Sequence, residues 1–287
     1  MDQRGKEEAN ERQKNSPSYV MAYEDIAFLN RDELRSVRLQ LELLKPELLQ
    51  QEHQIRSTIV VFGSARLAEP EKARAALADA ERRAAVEPKD ASIAHALAVA
   101  RRMVDLSRYY EEAREFARIV SSTCQMKGHC EYVIVTGGGP GIMEAANRGA
   151  HDVGAISIGL NITLPSEQTP NPYVTPDLCF QFRYFAIRKM HFMLRAKALV
   201  AFPGGYGTFD ELFETLTLAQ TAKVDPLPVI LFGREYWGKA ISWKFLEDEG
   251  MISPGDLDLF RYADTAQEAW DLITRFHRDG GWPSSAL

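Results

Sequence analysis

The chain has 287 residues, of which 45% are hydrophobic and 26% are charged, and its formal net charge is −6. This composition is typical of a globular domain, and the lack of a long basic run argues against nucleic acid or an anionic membrane as the main partner. No apolar run approaches the ~20 residues of a membrane helix. Residues 1–18 lack the apolar core of a secretory signal, and the three cysteines form no CxxC pair. We therefore expect a cytoplasmic protein that binds neither nucleic acid nor membranes.

The first 56 residues divide into two predicted segments. Residues 1–18 are charged and lack hydrophobic periodicity, which predicts a disordered tail. Residues 19–56 are predicted as a helical extension, in which Pro46 either kinks one helix or begins a second. One face of this extension carries a stripe of apolar residues: Leu34, Val37, Leu41, Leu44 and Leu48. Such a stripe requires a partner, which is either the following domain or another subunit.

From residue 57 to 287, short apolar runs alternate with helical patterns. This alternation predicts a parallel sheet covered by helices on both faces, the α/β doubly wound class. The predicted strands are 58–62, 131–135, 155–160, 178–182, 197–202 and 228–232. The helices predicted between and after them are 141–152, 184–196, 209–221, 235–248 and 267–276. The alanine-rich segment 69–123 is predicted as a helical insertion with a scaffold role, made of two helices of about 15 and about 30 residues.

A glycine-rich turn at 203–208 separates the strand 197–202 from a predicted helix. Glycines let the backbone turn with positive φ and approach a ligand closely. The first N–H groups of a helix have no intrahelical partners and lie at the positive end of its dipole. This turn therefore predicts a phosphate site, and Glu211 is expected in the first helical turn, beside the bound group.

A second glycine-rich turn, at 136–141, follows the strand 131–135. Two such units predict two neighbouring strand ends that face one ligand at the carboxyl edge of a parallel sheet. The dinucleotide fingerprint is absent, because Ile142 replaces its third glycine and no acidic residue follows about 20 positions on. A P-loop sequence is absent too, so the pattern favours a mononucleotide or a sugar phosphate. Purely structural glycine turns are the alternative.

Charged side chains near these turns are candidates for chemistry. Arg188, on the helix before strand 197–202, can offer a planar guanidinium to a phosphate or a ribose hydroxyl, although a solvated charged face is a common alternative. Glu211 and Glu214 can share a helix face, and Glu144 is a weaker candidate after the other turn. Acids at a helix start often only complement its dipole. The histidines lack metal-ligand spacing, so no metal site is predicted.

Three motifs together resemble the LOG (Lonely Guy) family of phosphoribohydrolases, whose members are often mislabelled lysine decarboxylases. These motifs are TGGGPGIMEAANRGA at 136–150, RKM at 188–190 and PGGYGTFDE at 203–211. FGSAR at 62–66 and GLNITLPSEQ at 159–168 fit the same family, and the resemblance covers roughly 57–280. The helical leader at 19–56 is similar to that of a longer bacterial branch, and the segment 69–123 is longer than in compact members.

The resemblance implies a Rossmann-like homodimer or higher homo-oligomer that needs no metal or redox cofactor. It implies hydrolysis of the N-glycosidic bond of a purine nucleoside 5′-monophosphate, of the AMP or cytokinin type, to free base and ribose 5-phosphate. Arg188 and Glu211 match the catalytic pair of the family. The 5′-phosphate is expected on the N–H groups at 205–208, with the Thr208 hydroxyl added. The expected substrate-binding residues are Gly63, Ser64, Gly137, Gly138, Gly139, Gly141, Met143, Glu144, Lys189, Gly204, Gly205, Tyr206, Gly207 and Thr208.

Two other functions fit parts of the sequence. Related Rossmann-like proteins carry nucleotides or the molybdenum cofactor without catalysis, but such a carrier is expected to lack the pair matched by Arg188 and Glu211. Amino-acid decarboxylation uses pyridoxal phosphate held by a lysine, and nothing in the sequence marks a Schiff-base lysine. The phosphoribohydrolase is therefore the main hypothesis.

Overall fold

The computed structural model describes residues 2–125, 130–164 and 169–282. The last four residues of the GLNITLPSEQ motif, 165–168, lie outside the described residues. The chain divides into two compact units, Met1–Lys45 and Pro46–Leu287. Among the described residues, no helix combines the length and the apolar character that crossing a bilayer requires.

The first unit consists of short helical segments. They are α1 (Gln3–Lys14), a 3-10 turn (Pro17–Tyr19), α2 (Ile26–Leu29), a second 3-10 turn (Asp32–Leu34) and the beginning of α3 (Arg35–Glu52). α3 is a single helix that contains Pro46, so no second helix begins there. Four side chains of the predicted stripe are 37% to 51% exposed: Val37, Leu41, Leu44 and Leu48.

Helix α1 occupies most of the segment 1–18, where the sequence predicts a disordered tail. The segment is rich in Glu, Lys, Arg and Gln, which are good helix formers. The Asp2 carboxylate accepts the Gly5 N–H at 2.9 Å and caps the helix start. No residue of α1 is buried, so no hydrophobic periodicity marks this helix in the sequence.

The second unit is built on seven parallel strands in the order β4-β3-β2-β1-β5-β6-β7. They are β1 (Thr58–Phe62), β2 (Val133–Thr136), β3 (Ser157–Ile162), β4 (Cys179–Phe182), β5 (Ala196–Ala201), β6 (Val229–Phe232) and β7 (Phe260–Ala263). β1 pairs with β2 and β5, and all of its residues are buried. The six predicted strands are confirmed. The sequence missed β7, whose middle residues Arg261 and Tyr262 are only partly buried.

Helices cover both faces of this sheet, which confirms the α/β doubly wound class. They are α4 (Pro70–Val86), α5 (Ala91–Leu106), α6 (Arg108–Cys124), α7 (Ile142–Asp152), α8 (Phe185–Leu194), α9 (Tyr206–Gln220), α10 (Arg234–Ala240), α11 (Trp243–Asp248) and α12 (Ala266–Asp279). Ile59 and Val61 of β1 join a hydrophobic cluster with α6, α7 and α12. Val60 and Phe62 join the opposite cluster, with α8, α9 and α10. Alternate residues of β1 thus bury into opposite layers.

The predicted helix of about 30 residues is wrong, because the chain breaks at Ser107 between α5 and α6. The buried Ser107 hydroxyl donates to Val104 O at 2.7 Å, and the Ser107 carbonyl accepts the Tyr110 N–H. A serine that bonds to the preceding turn competes with the helical backbone pattern. A similar break at 241–242 divides the predicted helix 235–248 into α10 and α11.

The predicted insertion 69–123 has two parts that differ in burial. α6 buries seven residues and is part of the core. The hairpin formed by α4 and α5 buries only Ala73 and Ile93. At its start, the Glu69 carboxylate accepts from the Arg148 guanidinium of α7 at 2.8 Å. The hairpin therefore lies outside the core, and the Glu69–Arg148 ion pair joins its first residues to α7.

Candidate functional site

A cavity of about 750 Å³ lies where β1, β2 and β5 end. In the sheet β1 lies between β2 and β5, so the two strands that carry the glycine-rich turns are not neighbours, contrary to the prediction. The segments that follow all three strands nevertheless meet at one edge of the sheet. The segments contribute Gly63, Ser64, Ala65, Arg66 and Leu67 after β1, Gly137 after β2, and Pro203, Gly204, Gly205, Tyr206, Gly207 and Thr208 after β5. Arg188 of α8 and Glu211 of α9 line the same cavity. The structure thus brings Gly137, the turn at 203–208 and both charged candidates to one place.

The turn at 203–208 leads directly into α9, whose N-cap is Gly205 and whose start has no side-chain cap. The first N–H groups of α9 therefore lack a partner from a capping side chain. A Cβ at Gly205 or Gly207 would meet nothing within 4 Å, whereas a Cβ at Gly204 would lie 2.1 Å from Thr208 Oγ1. An uncapped helix start beside open space is able to bind an anion.

Helix α9 begins earlier than the sequence predicts, and this moves Glu211 along the helix. α9 starts at Tyr206, so Glu211 is its sixth residue and lies in the second turn, not in the first. Tyr206 is 97% exposed, so no buried side chain marks the true helix start in the sequence. The position in the second turn carries the Glu211 carboxylate into the protein, where the residue is 9% exposed.

Arg188 and Glu211 form a buried ion pair across 23 residues of sequence. Arg188 Nη1 donates to Glu211 Oε1 at 3.1 Å, and Arg188 Nε donates to Leu160 O at 2.7 Å. The guanidinium lies 5.0 Å from the centre of the Phe192 ring. A Cβ at Gly137 would lie 2.7 Å from Arg188 Nη2. Gly137 thus leaves room for the guanidinium, which is oriented by three separate contacts.

Burial sets the electrostatics of this pair. It raises the pKa of the Glu211 carboxyl to about 7, against the opposing effect of the Arg188 charge. Burial also lowers the pKa of Arg188, and the charge of Glu211 opposes that change. An arginine nevertheless remains charged in proteins. The site therefore combines a fixed cation with a carboxyl group that can exchange a proton near neutral pH, which suits acid–base chemistry.

Lys189, the neighbour of Arg188 on α8, does not line the cavity. Its ammonium pairs with Asp210 Oδ2 at 2.9 Å and with Glu214 Oε2 at 3.0 Å, both on α9. Consecutive residues of α8 thus meet different faces of α9. Arg188 reaches the carboxylate inside the cavity, and Lys189 reaches the two carboxylates outside it.

The turn at 136–141 is held by bonds within the protein. Gly138 has a φ of 69° and donates its N–H to Thr136 Oγ1 at 2.9 Å. The Asn171 side-chain amide donates to Gly139 O at 3.0 Å, and the Asn171 backbone N–H donates to Gly138 O at 2.8 Å. These bonds engage the backbone of Gly138 and Gly139, two of the residues expected to bind the substrate.

Five of the expected substrate-binding residues do not line the cavity: Gly138, Gly139, Gly141, Glu144 and Lys189. Gly141 has a φ of 74°, and a Cβ there would lie 2.3 Å from Ser64 O. The Glu144 carboxylate accepts the Tyr110 hydroxyl at 2.9 Å. Gly141 therefore allows the start of α7 to pack closely against the segment after β1, and Glu144 joins α7 to α6. The other nine expected residues do line the cavity.

Further lining residues were not predicted: Phe62, Ala65, Arg66, Leu67, Met103, Leu106, Pro203, Phe209 and Tyr236. Arg66 is exposed, and it forms no ion pair within the part of the chain that the structure describes. Its place directly after the FGSA sequence was an available signal. Met103 and Leu106 of α5 carry no such signal, because their position depends on the break at Ser107.

In residues 2–125, 130–164 and 169–282, no group of three or more His, Cys, Asp or Glu side chains is placed to hold a metal ion. The polar groups at the cavity are instead backbone amides, the hydroxyls of Ser64, Tyr206, Thr208 and Tyr236, two guanidinium groups and the Glu211 carboxylate. This set is suited to a phosphorylated organic molecule.

The chain matches a family model described as "Possible lysine decarboxylase" over residues 143–273. It is 32% identical over 141 residues to the cytokinin riboside 5′-monophosphate phosphoribohydrolase LOG3 of Arabidopsis thaliana, which covers 47% of this chain and 63% of that protein. It is 30% identical over 149 residues to the corresponding enzyme LOG2 of the same plant, which covers 50% of this chain and 68% of that protein. The match thus spans less than two thirds of LOG3.

Among solved structures, the chain is similar to the Moco carrier protein from Chlamydomonas reinhardtii. The sequence identity is 20% and the TM-score is 0.45, over 78% of this chain and 99% of that chain.

Proposed function

Since the chain belongs to the LOG family, we propose that it hydrolyses the N-glycosidic bond of a purine nucleoside 5′-monophosphate, of the AMP or cytokinin type. The products are the free base and ribose 5-phosphate. One observation carries this proposal: the buried Arg188–Glu211 pair lines the same cavity as the uncapped start of α9. A phosphate site and a proton-exchanging carboxyl group then act on one small molecule.

The 5′-phosphate binds to the N–H groups at 205–208, where the dipole of α9 favours a negative charge. The Thr208 hydroxyl adds a donor, since Thr208 lines the cavity. Arg66 lines it too and adds a positive charge. Because the phosphate is bound at the helix start, the ribose extends toward Arg188 and Glu211.

Hydrolysis forms a bond between a water oxygen and the anomeric carbon while the bond from that carbon to the base nitrogen breaks. Positive charge develops on the ribose in the transition state. The Glu211 carboxylate stabilises this charge and accepts the proton of the attacking water. Arg188 orients the carboxylate through their 3.1 Å bond. The base leaves with the electron pair of the broken bond and takes up a proton.

The older family description suggests decarboxylation, which uses a lysine to hold pyridoxal phosphate. Among the described residues that line the cavity, none is a lysine. Lys189, beside the site, pairs with two carboxylates, which favour its charged, non-nucleophilic form. These contacts favour hydrolysis over a decarboxylation that requires a nucleophilic lysine at this site.

The test is incubation of the purified protein with a panel of nucleoside 5′-monophosphates, followed by detection of free base and ribose 5-phosphate. We expect Glu211→Gln to lower kcat at least 100-fold, the order of a lost acid–base group, while nucleotide binding persists. Glu214→Gln is the matched control, because Glu214 lies on the same helix and pairs with Lys189 outside the cavity.

In this assay, a wild-type protein that binds nucleotides but releases no base would contradict the proposed hydrolase activity. That result would favour the alternative, a non-catalytic nucleotide or molybdenum-cofactor carrier. We also propose, from the family, that the protein acts as a cytoplasmic homodimer without a metal or redox cofactor. Sedimentation of the purified protein tests the dimer, and activity after treatment with a chelator tests the cofactor.

A further inference from the structure

The hairpin of α4 and α5 is largely outside the core, yet its last turn reaches the cavity. The hairpin buries only Ala73 and Ile93. Its residues Met103 and Leu106 line the cavity that contains Arg188 and Glu211. Both side chains are partly buried and pack against one of the two hydrophobic clusters. Helix α5 is therefore placed to contact a ligand in the cavity.

The cavity has walls from both layers that flank the sheet. Leu67, Met103 and Leu106 belong to or pack against the cluster of α6, α7 and α12. Phe209 and Tyr236 pack against the cluster of α8, α9 and α10. The side chains of the first wall are all apolar, whereas the second wall includes the Tyr236 hydroxyl.

Phe209 and Tyr236 are both close to the proposed phosphate site. Phe209 is in the first turn of α9, and the Tyr236 hydroxyl donates to Gly204 O at 2.5 Å. The base is at the opposite end of a nucleoside 5′-monophosphate from its phosphate, with the ribose between them. A nucleotide whose phosphate is at 205–208 therefore directs its base away from these two aromatic residues.

The end of α5 is also held in place. The Ser107 hydroxyl donates to Val104 O, and the residues that follow, Tyr109 and Tyr110, are 3% and 1% exposed. The last turn of α5 is thus joined directly to the buried start of α6. A wall whose backbone is fixed in this way binds a ligand at a lower entropic cost, because the helix does not need to be ordered when the ligand binds.

We propose that Met103 and Leu106 form the wall of the cavity that contacts the purine base. This inference rests on the proposed function. The two side chains offer no hydrogen-bond donor, so they recognise the base by apolar contact and not by reading its polar edge. Methionine adapts its shape to irregular surfaces. The wall therefore accommodates adenine that carries an apolar group at N6 as readily as adenine itself.

The experiment compares the affinities of AMP and ribose 5-phosphate by titration calorimetry, with every substitution made in the Glu211→Gln protein, which is expected to bind AMP without appreciable hydrolysis. Met103→Ala and Leu106→Ala each weaken AMP binding about tenfold, the size expected for a lost apolar contact of about 1.4 kcal/mol. Ribose 5-phosphate has no base, and its affinity changes less than twofold. Met103→Leu keeps the apolar volume and retains most of the affinity for AMP.

Val99→Ala is the matched control, because Val99 lies one turn earlier on α5, is 41% exposed and does not line the cavity. Equal losses for AMP and ribose 5-phosphate, or unchanged AMP affinity in both alanine variants, would overturn the inference while leaving the proposed function intact. A wild-type protein that binds neither compound would instead overturn the proposed function and this inference with it. Thermal melting confirms that each variant is folded.

Discussion

The two glycine-rich turns are alike in sequence and differ in what surrounds them. The turn at 136–141 contains two glycines with positive φ, and its carbonyl groups accept hydrogen bonds from Asn171. The turn at 203–208 contains Gly205 and Gly207, around which there is open space, and it leads into an uncapped helix start in the cavity. The glycines of the first turn allow tight packing, and those of the second leave backbone amides accessible. Glycine content alone therefore does not identify a ligand site.

The strongest test of this contrast is the addition of one methyl group to each turn. Gly141→Ala forces a side chain onto a φ of 74° and places its Cβ 2.3 Å from Ser64 O. We expect a loss of about 3 kcal/mol in the free energy of unfolding, from backbone strain and overpacking together. Gly207→Ala meets open space within α9 and is expected to be neutral or slightly stabilising. Urea denaturation measures both, and equal losses would contradict the contrast.

The acidic residues that follow the two turns, Glu144 and Glu211, differ in burial, and this difference can be tested by changing the pH. Glu144 is partly exposed and bonded to Tyr110, whereas Glu211 is buried and its pKa is raised from 4.5 to about 7. Between pH 4.5 and about 7, Glu211 therefore holds a proton in the folded protein that it has released in the unfolded chain. Stability from the protonated Glu211 is fully present below about pH 4.5 and is lost as the pH rises through about 7.

The measurement is the free energy of unfolding of the wild-type protein and of Glu211→Gln, taken at several pH values between 4.5 and 8. The wild-type protein should lose on the order of 2 kcal/mol relative to the variant across this window, because only the wild type releases the proton. Parallel curves for the two proteins would show that burial does not shift Glu211 in the way proposed.

The smallest predicted effect concerns the uncapped start of α9. Gly205 has extended backbone angles, φ −100° and ψ −154°, so other residues can adopt its conformation. Gly205→Asp supplies a capping carboxylate, which should raise stability by a few tenths of a kcal/mol. The same carboxylate competes with a phosphate for the N–H groups and repels its charge, so AMP affinity should fall about tenfold.

Gly205→Asn is the control for that experiment, since its amide caps the helix without a negative charge. We expect it to weaken AMP binding less than Gly205→Asp does. Unchanged AMP affinity in Gly205→Asp would mean that the phosphate binds elsewhere, and the turn at 203–208 would then be no different from the turn at 136–141.

Much of the fold could be predicted because its signals are local. Six strands appear in the sequence as short apolar runs, and the helices between them appear as periodic patterns. The secondary-structure predictions are wrong where an element has too few buried residues to produce an apolar run or a periodic pattern. Helix α1 buries nothing, β7 is only half buried, and the break at Ser107 depends on side-chain bonds.

The site was predicted in its parts but not in its arrangement. Arg188, Glu211 and the turn at 203–208 are recognisable from residue type and spacing. The choice between Arg188 and Lys189 as the cavity residue depends on which face of α9 each one meets. The contribution of Met103 depends on where α5 ends and α6 begins.

The sequence by itself determined the alternation of strands and helices and the two glycine-rich turns, because backbone preferences and hydrophobic periodicity act over a few neighbouring residues. Only the tertiary structure decided which turn is open, which neighbour on α8 meets Glu211, and that α5 lines the cavity. Burial and charge at a site depend on residues far apart in the chain, whose contacts exist only after the sheet and its layers have assembled.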